Sequence, residues 1–104
     1  MISDFVDYDS LKTICLGVAD NNHVIENVED LSDETMNRML IIFKNGISLS
    51  VIQGEFSYGG ADKLFEIAFS KNGEITNSIL GGLQGYLTAR DVVRFINETG
   101  ELDG

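Results

Sequence analysis

The sequence predicts an α+β fold: an N-terminal helical region and a C-terminal helix packed on an antiparallel sheet of about four strands. Three observations predict it. Apolar residues recur at helical spacing near both ends, the middle changes to a period of two, and an Asn-Gly dipeptide stands at two places where the period-two pattern turns. Helices gathered on one face of an antiparallel sheet define the class.

Leu11, Ile14, Cys15 and Val18 fall at i, i+3, i+4 and i+7, and Ser10 precedes them as an N-cap, so a helix is expected from Ser10 to Ala19. Asp20-Asn21-Asn22 ends it with turn-forming residues. Ser32 can cap a second, short helix reaching Met39, with Asp33 and Glu34 favouring the macrodipole in its first turn. MLIIFK, residues 39–44, then meets ISLSVIQGEF, residues 47–56, across Asn45-Gly46, where a tight hairpin asks for positive φ at both turn positions. In the second arm Ile47, Leu49 and Val51 face one way and Ser48 and Ser50 the other. LFEIAFS, residues 64–70, and EITNSI, residues 74–79, repeat the arrangement around Lys71-Asn72-Gly73. Gly81, Gly82 and Gly85 mark residues 80–87 as a loop. Thr88 and Asp91 open a helix running from Ala89 to about Thr99, Val92, Val93, Phe95 and Ile96 give its apolar face, and Gly100 stands where a left-handed cap belongs. The chain of 104 residues is therefore expected to form one domain, with an acidic helical region 1–38, a β-meander 39–79, and a loop and helix 80–104.

A hydrophobic fraction of 43% argues for a folded chain. No apolar run approaches the ~20 residues that span a bilayer, and MISDFVDYDS lacks a basic secretory n-region, so a cytoplasmic protein without membrane contact is expected. Cys15, the single cysteine, suits a reducing compartment. A net charge of −10 disfavours direct nucleic-acid binding, which needs an excess of lysine and arginine toward the phosphates. The charge is uneven. Residues 1–34 hold nine acids against Lys12 alone, net −8, and residues 35–104 hold eight acids against six bases, net −2.

Little in the chain has the form of catalytic chemistry. GEFSYGG, residues 54–60, places Gly54 and Gly59 like the glycines of a P-loop, but Gly60 and Ala61 stand where lysine and a hydroxyl belong, and a strand rather than a helix follows. The stretch reads as a glycine-rich connection that presents Tyr58, an aromatic of the kind that anchors interfaces. His23 is the only histidine, so neither a Cys/His metal cluster nor a Ser-His-Asp triad can be built. No enzyme activity, cofactor or metal is expected. The acids Asp4, Asp7, Asp9, Glu26, Glu29, Asp30, Asp33 and Glu34 would, if brought together, make a field that attracts a basic groove; the same acids would also keep a small proline-free domain soluble.

ISLSVIQGEFSYGG, LFEIAF and GYLTARDVV together resemble a group of small, largely uncharacterised bacteriophage proteins that share an SYGG…LFE…GYLT pattern, over about residues 45–96. Members often carry an Asp-Asp-Val segment before GYLT where this chain has Ile79-Leu80-Gly81-Gly82-Leu83-Gln84, and the acidic N-terminal third is not part of the pattern. The resemblance brings no catalytic residues. It implies a phage source, and small acidic phage proteins without catalytic groups are similar by class to anti-CRISPR and anti-restriction inhibitors. The expected function is thus a phage-encoded inhibitor that binds a host protein, a nucleic-acid-handling defence complex, by steric and electrostatic occupation, with the eight acids and Tyr58 as contact residues. Two other readings stay open: a nucleotide-signal binder using the glycine-rich loop with Lys63, Lys71, Arg90 and Arg94, and a phage accessory module that contacts a phage partner. The sequence leaves the oligomeric state open.

Overall fold

A computed structural model of the chain describes residues 8–21, 24–34, 36–54 and 64–102, with the backbone alone for 18–21. Helix α1 (Tyr8–Asn21) leads into strands β1 (Ile25–Asp30), β2 (Met36–Phe43), β3 (Ile47–Gly54), β4 (Phe65–Lys71), β5 (Glu74–Thr76) and β6 (Gln84–Leu87), and helix α2 (Ala89–Gly100) closes the order. The sheet runs β1-β2-β3-β4, every pair antiparallel, and β5 and β6 divide the far edge of β4 between them. The α+β class and antiparallel sheet are as expected, but the sheet has six strands among the described residues where about four were expected.

The alternation of β3 sets the layers. Ile47, Leu49 and Val51 are buried together with Met39, Ile41 and Phe43 of β2 and Phe65, Ile67 and Phe69 of β4. Both helices cover this face: Tyr8, Leu11 and Cys15 come from α1, and Ala89, Val92, Phe95 and Ile96 from α2, all in one apolar cluster. Phe95 meets Phe69 edge to face at 6.3 Å, a favourable aromatic geometry. Burial also pushes the Cys15 thiol up to about 12, as core packing of a lone cysteine does.

Four expectations about elements are corrected. The short helix at 32–39 is absent; Ser32 and Asp33 serve a turn, and β2 begins at Met36 because Met36–Ile42 pairs with Ser48–Gly54. Ser and Asp suit turns as well as helix caps, and the sheet pairing decides between them. β1 was not expected at all: its alternation is interrupted by a bulge at Glu26, between Ile25 and Asn27. Residues 80–87 are not wholly a loop, since Gln84–Leu87 pairs with β4. Helix α1 also begins two residues before Ser10, so Ser10 lies inside it.

The two Asn-Gly turns differ. Asn72 and Gly73 have φ of 54° and 86°, and Lys71 pairs with Glu74, a two-residue turn with both positions left-handed. At the first turn only Gly46 is left-handed, at φ 88°, and its N–H donates to the Phe43 carbonyl at 3.2 Å. The Asn45 side chain explains the change. Its amide donates to the carbonyls of Thr99 and Leu102, at 3.0 and 2.9 Å, and its oxygen accepts from Ile47 N. It thereby satisfies carbonyls at the C-terminus of α2 that the helix leaves over.

The start of α2 follows its expected chemistry, with Thr88 Oγ1 accepting from Asp91 N at 3.2 Å and Asp91 Oδ2 accepting from Thr88 N at 3.1 Å. Its end does not. Gly100 has no positive φ and belongs to the helix; a Cβ there would lie 2.5 Å from Val24 Cγ2, so glycine is required by close approach rather than by a left-handed cap.

Candidate functional site

β1 is the outermost strand of the sheet, and its residues Glu26 and Glu29 are exposed. The chain leaves β1 through residues 31–34, where Asp33 and Glu34 are exposed, and returns as β2. Asp33 closes this turn: its N–H donates to the Met36 carbonyl at 2.9 Å and its Oδ1 accepts from Met36 N at 3.0 Å. Helix α1 packs beside β1 and brings exposed Asp9, in its first turn, to the same end of the molecule.

Asp30 joins the helix to the strand. Its Oδ1 accepts from the Tyr8 hydroxyl at 3.0 Å, from Ser32 Oγ at 2.6 Å and from Ser32 N at 3.1 Å, and its Oδ2 accepts from Lys12 Nζ at 2.9 Å. The Ser32 hydroxyl foremost, then the Lys12 ammonium and the other donors, hold the carboxyl well below the usual carboxylate range. Burial, with smaller contributions from Asp30, pushes the Tyr8 phenol up to about 12. Asp30 favours the Lys12 ammonium in turn.

These contacts sort the sequence-derived acids into two roles. Asp30 holds α1 against β1. Glu26, Glu29, Asp33 and Glu34 line the strand and turn, with Asp9 adjacent on α1. Lys12, the one base in residues 1–34, is engaged by Asp30, and exposed Arg38 on β2 stands beside the turn, so the acids outnumber the bases here and keep a net negative field. Asp4, Asp7 and Tyr58 lie outside the described residues, as do His23 and residues 55–63, which include most of GEFSYGG. Among the described residues no group of three or more His, Cys, Asp or Glu is placed to hold a metal ion, and no helix is long and apolar enough to cross a membrane.

Of the residues proposed for a phosphate ligand, Lys71 and Arg90 stand apart. Lys63 lies outside the described residues, Lys71 ends β4 at the second Asn-Gly turn, and Arg90 begins α2 beyond the opposite end of β4, where Phe65 pairs with Leu87. Arg94 lies with its guanidinium 5.2 Å from the centre of the Phe95 ring.

Sequence reasoning missed Tyr8 and Ser32 as partners of Asp30. Tyr8 stands three residues before Leu11 and extends the apolar stripe by one turn, which was a usable signal. It also missed the far edge of the sheet, where Ile75, Leu83 and Tyr86 are exposed at 79%, 52% and 64%. No known family model matches the chain, and neither a curated protein nor a solved structure matches it.

Proposed function

We propose that this protein is a phage-encoded inhibitor that acts without turnover, its acidic β1 end occupying a basic nucleic-acid-binding surface on a host defence protein. The observation that carries this reading is the gathering of Asp9, Glu26, Glu29, Asp33 and Glu34 around one strand and one turn, where the nearby bases are Lys12, already paired with Asp30, and Arg38 on the neighbouring strand. A field of one sign at one end of a small protein steers it toward a surface of opposite sign. The pattern shared with small phage proteins supports the source, and the surface charge supports a protein partner over nucleic acid itself.

Glu26, Glu29 and Glu34 are the residues to reverse, because Asp30 holds α1 and Asp33 closes the turn. Bacteria that carry a nuclease-based defence and express the chain should plate a susceptible phage with increased efficiency. The triple variant E26K/E29K/E34K should lose that increase. Equal plating with the variant would remove the electrostatic basis of the proposal.

A further inference from the structure

Both helices lie on one face of the sheet, and among the described residues no helix covers the other. The register places Leu40, Ser50 and Ala68 side by side on that open face, and Arg38, Ile52 and Glu66 in the next row. In each row the first residue is on β2, the second on β3 and the third on β4. We propose that this face binds a second copy of the chain, the two sheets stacking about a two-fold axis that runs along β3.

Such an axis exchanges β2 with β4. Arg38 then meets Glu66 of the second copy, and the contact occurs twice because the interface is isologous. Leu40 meets Ala68 of the second copy, large against small, while Ile52 and Ser50 meet their own mates on the axis. Aligned sheets stack ~10 Å apart, a spacing that extended arginine and glutamate side chains can bridge. Within one chain Arg38 and Glu66 are two strands apart with Ile52 between them, and they make no ion pair.

Ile75, paired with Ser70 at the rim of the same face and 79% exposed, would be covered by the stack.

The size of the face sets the strength. Four strands of about seven residues make a surface of roughly 20 by 23 Å, so the pair buries on the order of 900 Å², below the standard interface. A weak dimer, with a Kd in the micromolar range, is therefore expected. Each copy carries a charge of −10, so long-range repulsion opposes stacking and salt should strengthen it. Docking of the acidic end on a basic groove has the opposite salt dependence, which separates the two proposals experimentally.

Sedimentation equilibrium of the full chain, from about 5 to about 500 μM so as to cover that range, tests the inference. The result expected is a monomer–dimer equilibrium that tightens with salt. R38E and E66R should each be monomeric alone, should pair when mixed in equal amounts, and the double variant R38E/E66R should dimerise like the wild type. A wild-type chain that stays monomeric over the whole range would overturn the proposal, as would a dimer indifferent to both single substitutions.

Discussion

The two edges of the sheet are protected in different ways. At the β1 edge the defence is charge: Glu26 and Glu29 are exposed on the outer strand, Glu26 occupies a bulge, and Asp30 is tied to Tyr8, Lys12 and Ser32. At the far edge the defence is geometry. β5 and β6 are short, share the edge of β4, and are joined through a segment with left-handed Leu80, Gly81 and Gly82, followed by left-handed Tyr86 within β6. Charge and short, irregular strands both discourage pairing with another sheet. The difference matters for function. Exposed acids are expected on an edge strand for that reason alone, so only acids free of a folding role can be credited to partner binding.

Breaking the far edge should have the largest effect on stability. A Cβ on Gly82 would lie 2.7 Å from the Asn77 Cα, and φ there is 75°, so G82A should cost at least about 2 kcal/mol in urea unfolding. G46A, with a φ of 88° but its nearest contact at 3.4 Å, should cost about 1 kcal/mol. Equal losses would show that the approach to Asn77 is not what requires glycine.

The β1 end should respond more mildly. Y8F removes the phenol that donates to Asp30 and should cost about 1 kcal/mol. Tyr8 has a folded pKa raised to about 12, so its contribution is complete below the unfolded value near 10 and is lost as pH rises through the folded value. Tyrosinate absorbance of the wild type should therefore include one late step near 12 that Y8F lacks. Asp30 behaves inversely. Its pKa is lowered by Ser32 and Lys12, so its contribution is present above the unfolded value of about 3.9 and is lost as pH falls toward the folded value. The thermal midpoint of wild type should drop on acidification below that point, and D30N should flatten this slope; parallel curves would show that Asp30 does not hold α1 in place.

Features that depend on neighbours in sequence were legible. The Lys-Asn-Gly tripeptide occurs twice, at 44–46 and 71–73, and each marks a hairpin because Asn and Gly tolerate left-handed backbone. The second forms the two-residue turn the dipeptide suggests. The first does not, because Asn45 bonds to carbonyls 54 and 57 residues away, information that no local pattern contains. The Thr88–Asp91 capping box was local and was readable. β1 was hidden because the bulge at Glu26 breaks the period of two, and β6 because its four residues follow two glycines and include left-handed Tyr86.

The same distinction governs the candidate site. Charge per segment was readable, so the acidic end could be anticipated from composition. The separate role of Asp30 could not, since its partners Tyr8 and Lys12 lie 22 and 18 residues away and meet it only after α1 docks on β1.

The central claim, that the β1 end binds through charge to a surface built for nucleic acid, is tested most directly by capture from bacterial lysate on the wild-type chain and on E26K/E29K/E34K, with duplex DNA as competitor. The account predicts a nucleic-acid-binding protein that the wild type retains at low salt, that DNA and high salt both displace, and that the triple variant does not hold. Retention of the same protein by both chains, or retention that neither DNA nor salt reduces, would contradict it.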